Sequence, residues 1–270
     1  MSPRFNPANQ CIYCGAVDEL SDEHIVPYGL GGDLVFPRAS CQCCATKTSL
    51  FELRTMRGFM NDSRLVSGLP SRRKKRRPNT KHHELQDSGD RSKIVNLPLS
   101  ESIGFLHLPT MEAGAFMSDK PPVTGARVTG IETIKFGRDV RECLRFHDAT
   151  GIKDRAQVDV HSFTKMLAKI AYSFLVAKRG VFPRNESPAL AIAMAQSTNP
   201  SNWIGSQFMP PPTVNFPGLH ALAIEDSAQP SNGPVTVVKV ALFRSSGACT
   251  YEVVARAPGW QAYEARLSDA

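Results

Sequence analysis

The chain has 270 residues, 41% hydrophobic and 21% charged, which suits one large or two modest folded units and excludes wholesale disorder. No stretch approaches the ~20 consecutive apolar residues of a membrane helix, and the first ten residues lack the apolar core of a signal peptide, so a cytoplasmic protein with no membrane partner is expected. The net charge of +7 is local: Arg72, Arg73, Lys74, Lys75, Arg76 and Arg77 supply six of it, which points to an anionic partner at that stretch.

Residues 1–10 read as a lead-in. Cys11 and Cys14 then form a C-x-x-C pair, followed by Gly15, as in a tight turn whose backbone N–H groups point at sulfur. A second pair, Cys41 and Cys44, follows the Asp22-Glu23-His24 triplet. In a reducing compartment such pairs are metal ligands before they are disulfides, and four thiolates in two pairs can close a tetrahedral zinc site. Leu20–Pro27 reads as a strand, the stretch with Gly29, Gly31 and Gly32 as a sharp loop, and Leu34–Ala39 as a second strand. A half-buried helix is expected over about 45–66, from the apolar positions Leu50, Phe51, Leu53, Met56, Phe59 and Met60. Gly68 and Pro70 end it.

The basic run and the polar residues after it read as an exposed arm. Its two adjacent histidines, His82 and His83, carry no metal-binding pattern. Short strands are expected at Ile94–Leu99, Val123–Ile131, Thr133–Phe136 and Glu142–Phe146. His161–Lys178 shows a helical stripe of Phe163, Met166, Leu167, Ile170, Ala171 and Phe174, with Asp159 or Ser162 to cap it and Gly180 to stop it. Pro188–Gln196 reads as a shorter helix, and Leu219–Ala223, Val235–Phe243 and Tyr251–Ala255 as strands. Of the remaining cysteines, Cys143 and Cys249 sit in apolar surroundings and read as buried thiols, and Cys43 breaks the paired spacing.

Two C-x-x-C pairs bracketing Asp-Glu-His-Ile-Val-Pro and a Leu-Gly-Gly turn resemble the HNH endonucleases, the zinc-stapled branch of the ββα-metal (His-Me finger) nucleases. The resemblance covers about residues 11–52. It implies that Cys11, Cys14, Cys41 and Cys44 hold a structural zinc and that His24 is the general base that activates water. Glu23, beside it, would be a catalytic residue and ligand of a catalytic Mg²⁺ or other divalent ion, with Asp22 as the competing choice.

The sequence departs from that pattern. No Asn lies between Asp33 and Ser40, and Ala45 stands where Asn or His would follow the last cysteine. On a helix, positions 45, 48, 49 and 52 share a face, so Thr48 and Glu52 are the oxygen substitutes, with Glu52 preferred as the third ligand. Arg72 through Arg77 would hold nucleic-acid phosphates.

The expected fold is therefore α+β: an N-terminal zinc-stapled ββα-metal unit (1–67), a basic linker or arm (68–92) and a mixed α+β domain (93–270) that serves targeting, a protein partner or self-association. The expected activity is metal-dependent hydrolysis of DNA phosphodiesters, with RNA as the less favoured substrate. The competing reading is a zinc-stabilised nucleic-acid-binding protein that has lost cleavage.

Overall fold

The computed structural model describes residues 5–71, 77–208, 210, 212, 218–229 and 233–267. β1 (Leu20–His24) and β2 (Val35–Cys41) pair antiparallel, and α1 (Gln42–Arg57) continues straight from β2. The loop between the strands needs its glycines. Gly31 sits at φ +81° and donates its N–H to the Tyr28 carbonyl, while a Cβ on Gly32 would lie 2.1 Å from the Val26 carbonyl oxygen. Any larger residue there would force the loop open.

The single helix expected over 45–66 is two. α1 stops at Arg57, and α2 (Asn61–Val66) restarts after a break at Gly58. Gly58 has ψ −125°, and a Cβ there would sit 2.6 Å from the Arg54 carbonyl oxygen. The break lets both Phe59 and Met60 turn into the core.

Residues expected to be an exposed arm instead form β3 (Thr80–Gln86), hairpinned to β4 (Ser92–Pro98). β5 (Ile103–Thr110), which sequence periodicity did not announce, pairs with β6 (Gly130–Gly137). The strand expected at Val123–Ile131 contributes only its end, to β6. The strand expected at Glu142–Phe146 is a helix, α3 (Val140–Phe146), because Asp139 caps it by accepting the Glu142 N–H at 3.0 Å. β7 (Gly151–Lys153) then completes a sheet of order β4-β3-β7.

α4 (Val160–Arg179) matches its expected span. Asp159 accepts the Ser162 N–H at 2.9 Å and Gly180, at φ +85°, ends it. α5 (Pro188–Ala193) follows, then β8 (Ile204–Gln207), β9 (Ala221–Gln229), β10 (Gly233–Ala241), β11 (Thr250–Arg256) and α6 (Trp260–Ala265). The last four strands make an antiparallel sheet of order β8-β11-β10-β9. Cys143 and Cys249 are buried thiols, as expected. Among the described residues no helix is long and apolar enough to cross a membrane.

The architecture is mixed α+β with α4 at its centre. One face of α4 packs on α1, and others meet α5, β10 and β11. One continuous core runs from Ile12, Ile25, Leu30 and Phe36 through Phe51 and Met60 to Phe163, Ile170, Val238 and Val253. Described residues on both sides of 68–92 thus share one core. A smaller core of Leu97, Ile103, Phe105 and Cys143 lies under β4, β5 and α3.

His220 ties the loop after β1 to the large sheet. Its Nε2 meets the Leu30 carbonyl at 2.9 Å and its Nδ1 accepts the Phe243 N–H at 3.2 Å, so the ring is neutral. Burial pushes its pKa down to about 4, against the opposing pull of the Leu30 carbonyl and the Asp33 charge. The unfolded chain takes up this proton near pH 6.5 and the folded chain only near 4. Stability is therefore full above about pH 6.5 and falls through that window, by roughly 3 kcal/mol from this residue alone. Urea melts at pH 7 and pH 4.5 should show a wild-type loss that His220→Gln reduces. An equal loss in both would remove His220 as its source.

Candidate metal cluster and adjoining cleft

Four cysteines converge where β2 turns into α1. Cys11 and Cys14 lie on the turn before β1, Cys41 ends β2 and caps α1, and Cys44 sits in the first turn of α1. Their sulfurs all lie within 4.8 Å of one another, and Cys14 Sγ is 3.6 Å from Cys41 Sγ. A tetrahedral zinc with Zn–S near 2.3 Å sets sulfurs about 3.8 Å apart, whereas a disulfide needs ~2.05 Å. The donor set therefore fits a tetrahedral ion, and the four cysteines could bind a metal such as zinc.

The first turn has the form such a site needs. Gly15, at φ +87°, donates its N–H to the Cys11 carbonyl at 2.8 Å. Burial, then the negative charge of Cys11, drives the Cys44 thiol far above its usual range. A cation bound among the four sulfurs would offset that cost and hold them as thiolates. Cys43 points outward, exposed on α1.

β1 distributes the triplet by strand alternation. Asp22 is exposed and accepts the Arg38 N–H at 3.1 Å. Glu23 turns into the core. His24 is half-buried, its ring edge-on to Tyr28 at 5.6 Å. From the facing side α1 brings Glu52, so the two expected carboxylates do meet. Between them lies a group the motif gave no hint of, the ammonium of Lys169.

Lys169 comes from the middle of α4 and is 0% exposed. Its Nζ lies 2.5 Å from Glu23 Oε1 and 2.9 Å from Glu52 Oε1. It also donates to the carbonyls of His24 and Ile25. Burial works against the charge, but the two carboxylates outweigh it and hold the Lys169 pKa above its usual value. One turn on, Tyr172 donates to the Ile12 carbonyl at 2.7 Å. Tyr13 is buried close by. Burial and the charges of Glu23 and Glu52 push its pKa well up, so it stays protonated.

The expected divalent-ion site does not fit this arrangement. Glu23 and Glu52 already share an ammonium. Thr48, the other oxygen on that helix face, donates to the Ala45 carbonyl at 3.2 Å. Among the described residues the four cysteines are the one group of three or more metal-capable side chains whose donor atoms converge, so Asp22, Glu23, His24 and Glu52 do not form a second.

His24, Asp22 and Tyr28 line a cleft of about 970 Å³ together with Arg57, Arg64 and Arg77. Backbone carbonyls fix two of these guanidiniums. Arg64 Nε donates to Gly29 at 2.6 Å and Nη1 to Met56 at 2.9 Å. Arg77 donates to Leu69 at 2.9 Å and Leu65 at 2.6 Å, bracing the end of α2. Among the described residues no carboxylate pairs with any of the three. Burial first, then the charges of Arg77 and Arg57, pull the Arg64 pKa down.

Of the basic run, Arg77 is the described member; Arg72, Arg73, Lys74, Lys75 and Arg76 lie outside the described residues. Arg57 and Arg64 were not singled out from sequence, since lone arginines at the end of α1 and in α2 look like ordinary solvated side chains. Comparison with models of protein families, with curated proteins and with solved structures finds no match.

Proposed function

We propose that the cleft binds and cleaves a phosphodiester, and that the protein is a DNA endonuclease of the HNH-like, zinc-stapled ββα kind that its motif resembles. The observation that carries this reading is that His24 lines one cleft with three arginines that no carboxylate pairs among the described residues. Zinc at the four cysteines is structural and closed to substrate, and sets the turn before β1 against the start of α1. Neutral His24 takes the proton from a water as its oxygen attacks phosphorus. The guanidiniums meet the charge that develops on the phosphoryl oxygens, the bond from phosphorus to the 3′ oxygen breaks, and the departing 3′ oxygen takes a proton from solvent water. No step is assigned to a divalent ion, because its expected ligands hold Lys169.

The test is nicking of supercoiled plasmid by the zinc-loaded full chain. His24→Ala should lower the rate by about 10²–10⁴-fold, the usual worth of a general base, while DNA binding persists. Cleavage by that variant at the wild-type rate would exclude the reading.

One observation favours a second reading, a nucleic-acid-binding protein without cleavage: the neutralisation of Glu23 and Glu52 by Lys169. It predicts DNA binding that weakens steeply with salt, as counterion release requires, and no nicking under any metal condition.

A further inference from the structure

The carboxylate pair, the buried lysine and the backbone beside His24 form one assembly, and it departs from what the motif implies. We propose that Lys169 is the resident cation of this site: its ammonium takes the seat between Glu23 and Glu52 that a divalent ion would take, so that the intact site binds no divalent metal.

Four oxygens surround the Lys169 Nζ: Glu23 Oε1, Glu52 Oε1 and the carbonyls of His24 and Ile25. This is the hard-oxygen shell in which a small cation would be sought. β1 supplies two of the oxygens, Ile25 just after it a third and α1 the fourth, so the ammonium ties the end of β1 to α1. A Mg²⁺ needs its oxygens at about 2.0–2.1 Å and keeps several waters. Both demands conflict with a side chain that is 0% exposed and already fills the centre.

Withdrawal of the ammonium is blocked by its surroundings. Every residue of α4 from Met166 to Val176 is buried, so moving the ammonium off these oxygens would leave two carboxylates without the cation that pairs them. The Lys169 contacts to the His24 and Ile25 carbonyls also fix the backbone that carries the imidazole. The chemical class of the occupant is therefore a primary ammonium, and it is supplied by the chain itself from 145 positions beyond His24.

The proposal rests on the reading of Glu23 and Glu52 as the motif's cation seat, and its test does not require cleavage. The zinc-loaded full chain is titrated with Mn²⁺ and bound ion is read by electron paramagnetic resonance. Wild type should bind none at millimolar Mn²⁺. Lys169→Ala should acquire one Mn²⁺ per chain, and Lys169→Ala combined with Glu52→Gln should lose it again.

One Mn²⁺ bound by wild type and lost in Glu23→Gln overturns the proposal, as does a folded Lys169→Ala that gains none. Where Lys169→Ala does not fold, the wild-type titration alone decides. A protein that nicks no DNA but follows the expected Mn²⁺ pattern would end the nuclease reading and leave this one standing.

Discussion

Cys44→Ser should abolish stoichiometric metal binding and unfold the front of the chain. Zinc held by four thiolates contributes an apparent ~10–16 kcal/mol of folding free energy in small fingers at neutral pH, as much as the whole stability of an ordinary domain, ~5–15 kcal/mol. Here the effect should spread, because Ile12 and Ile25 belong to the same core as Phe163 and Val253. Elemental analysis should find one zinc per wild-type chain and none in Cys44→Ser, together with a fall of tens of degrees in the melting temperature. One retained zinc and an unchanged melt would remove Cys44 from the ligand set. Cys43→Ser, one position away but exposed, should change neither quantity.

The second large effect is on stability at Lys169. Lys169→Met keeps the length of the side chain but strips the charge from between two acids that are 8% and 16% exposed. Breaking a buried ion pair by removing one partner costs about 3–5 kcal/mol, because the remaining charge is left uncompensated. Adding Glu23→Gln and Glu52→Gln to Lys169→Met should recover most of that loss, since well-packed neutral replacements of a buried pair are often harmless. Chemical denaturation of the single and triple variants measures both. A triple variant no more stable than the single one would show that Lys169 acts by packing and not by charge.

The parts of the molecule that could be read in advance are those governed by local spacing. The two C-x-x-C pairs, the strand–loop–strand before α1, and α4 with its Asp159 cap each announce themselves within a few residues. Lys169 did not, because the stripe of Phe163, Met166 and Ile170 marks one buried face, whereas α4 is buried nearly all round by elements from both ends of the chain. The segment expected to be a strand at Glu142–Phe146 is the helix α3; Asp139 with Glu142 three residues later is a helix-start signature that was passed over. β3 carries a polar sequence, and becomes a strand because β4 and β7 flank it on both sides. Such partners are set by the tertiary fold and leave no trace in the segment itself. Glu23 and Glu52, expected to share a divalent ion, lie on either side of the Lys169 ammonium.

The reach of α4 into the cysteine-bearing front also governs how this polypeptide could be rearranged by recombination. A cartridge cut at residue 67 and spliced into another host would carry two acids away from the one base that balances them, and would bare the side of Ile12 and Ile25 that α4 now shields. Expressed as separate pieces, front and back would have to find each other before either gained a settled interior. The signature that looks most portable is thus bound to its own C-terminal half.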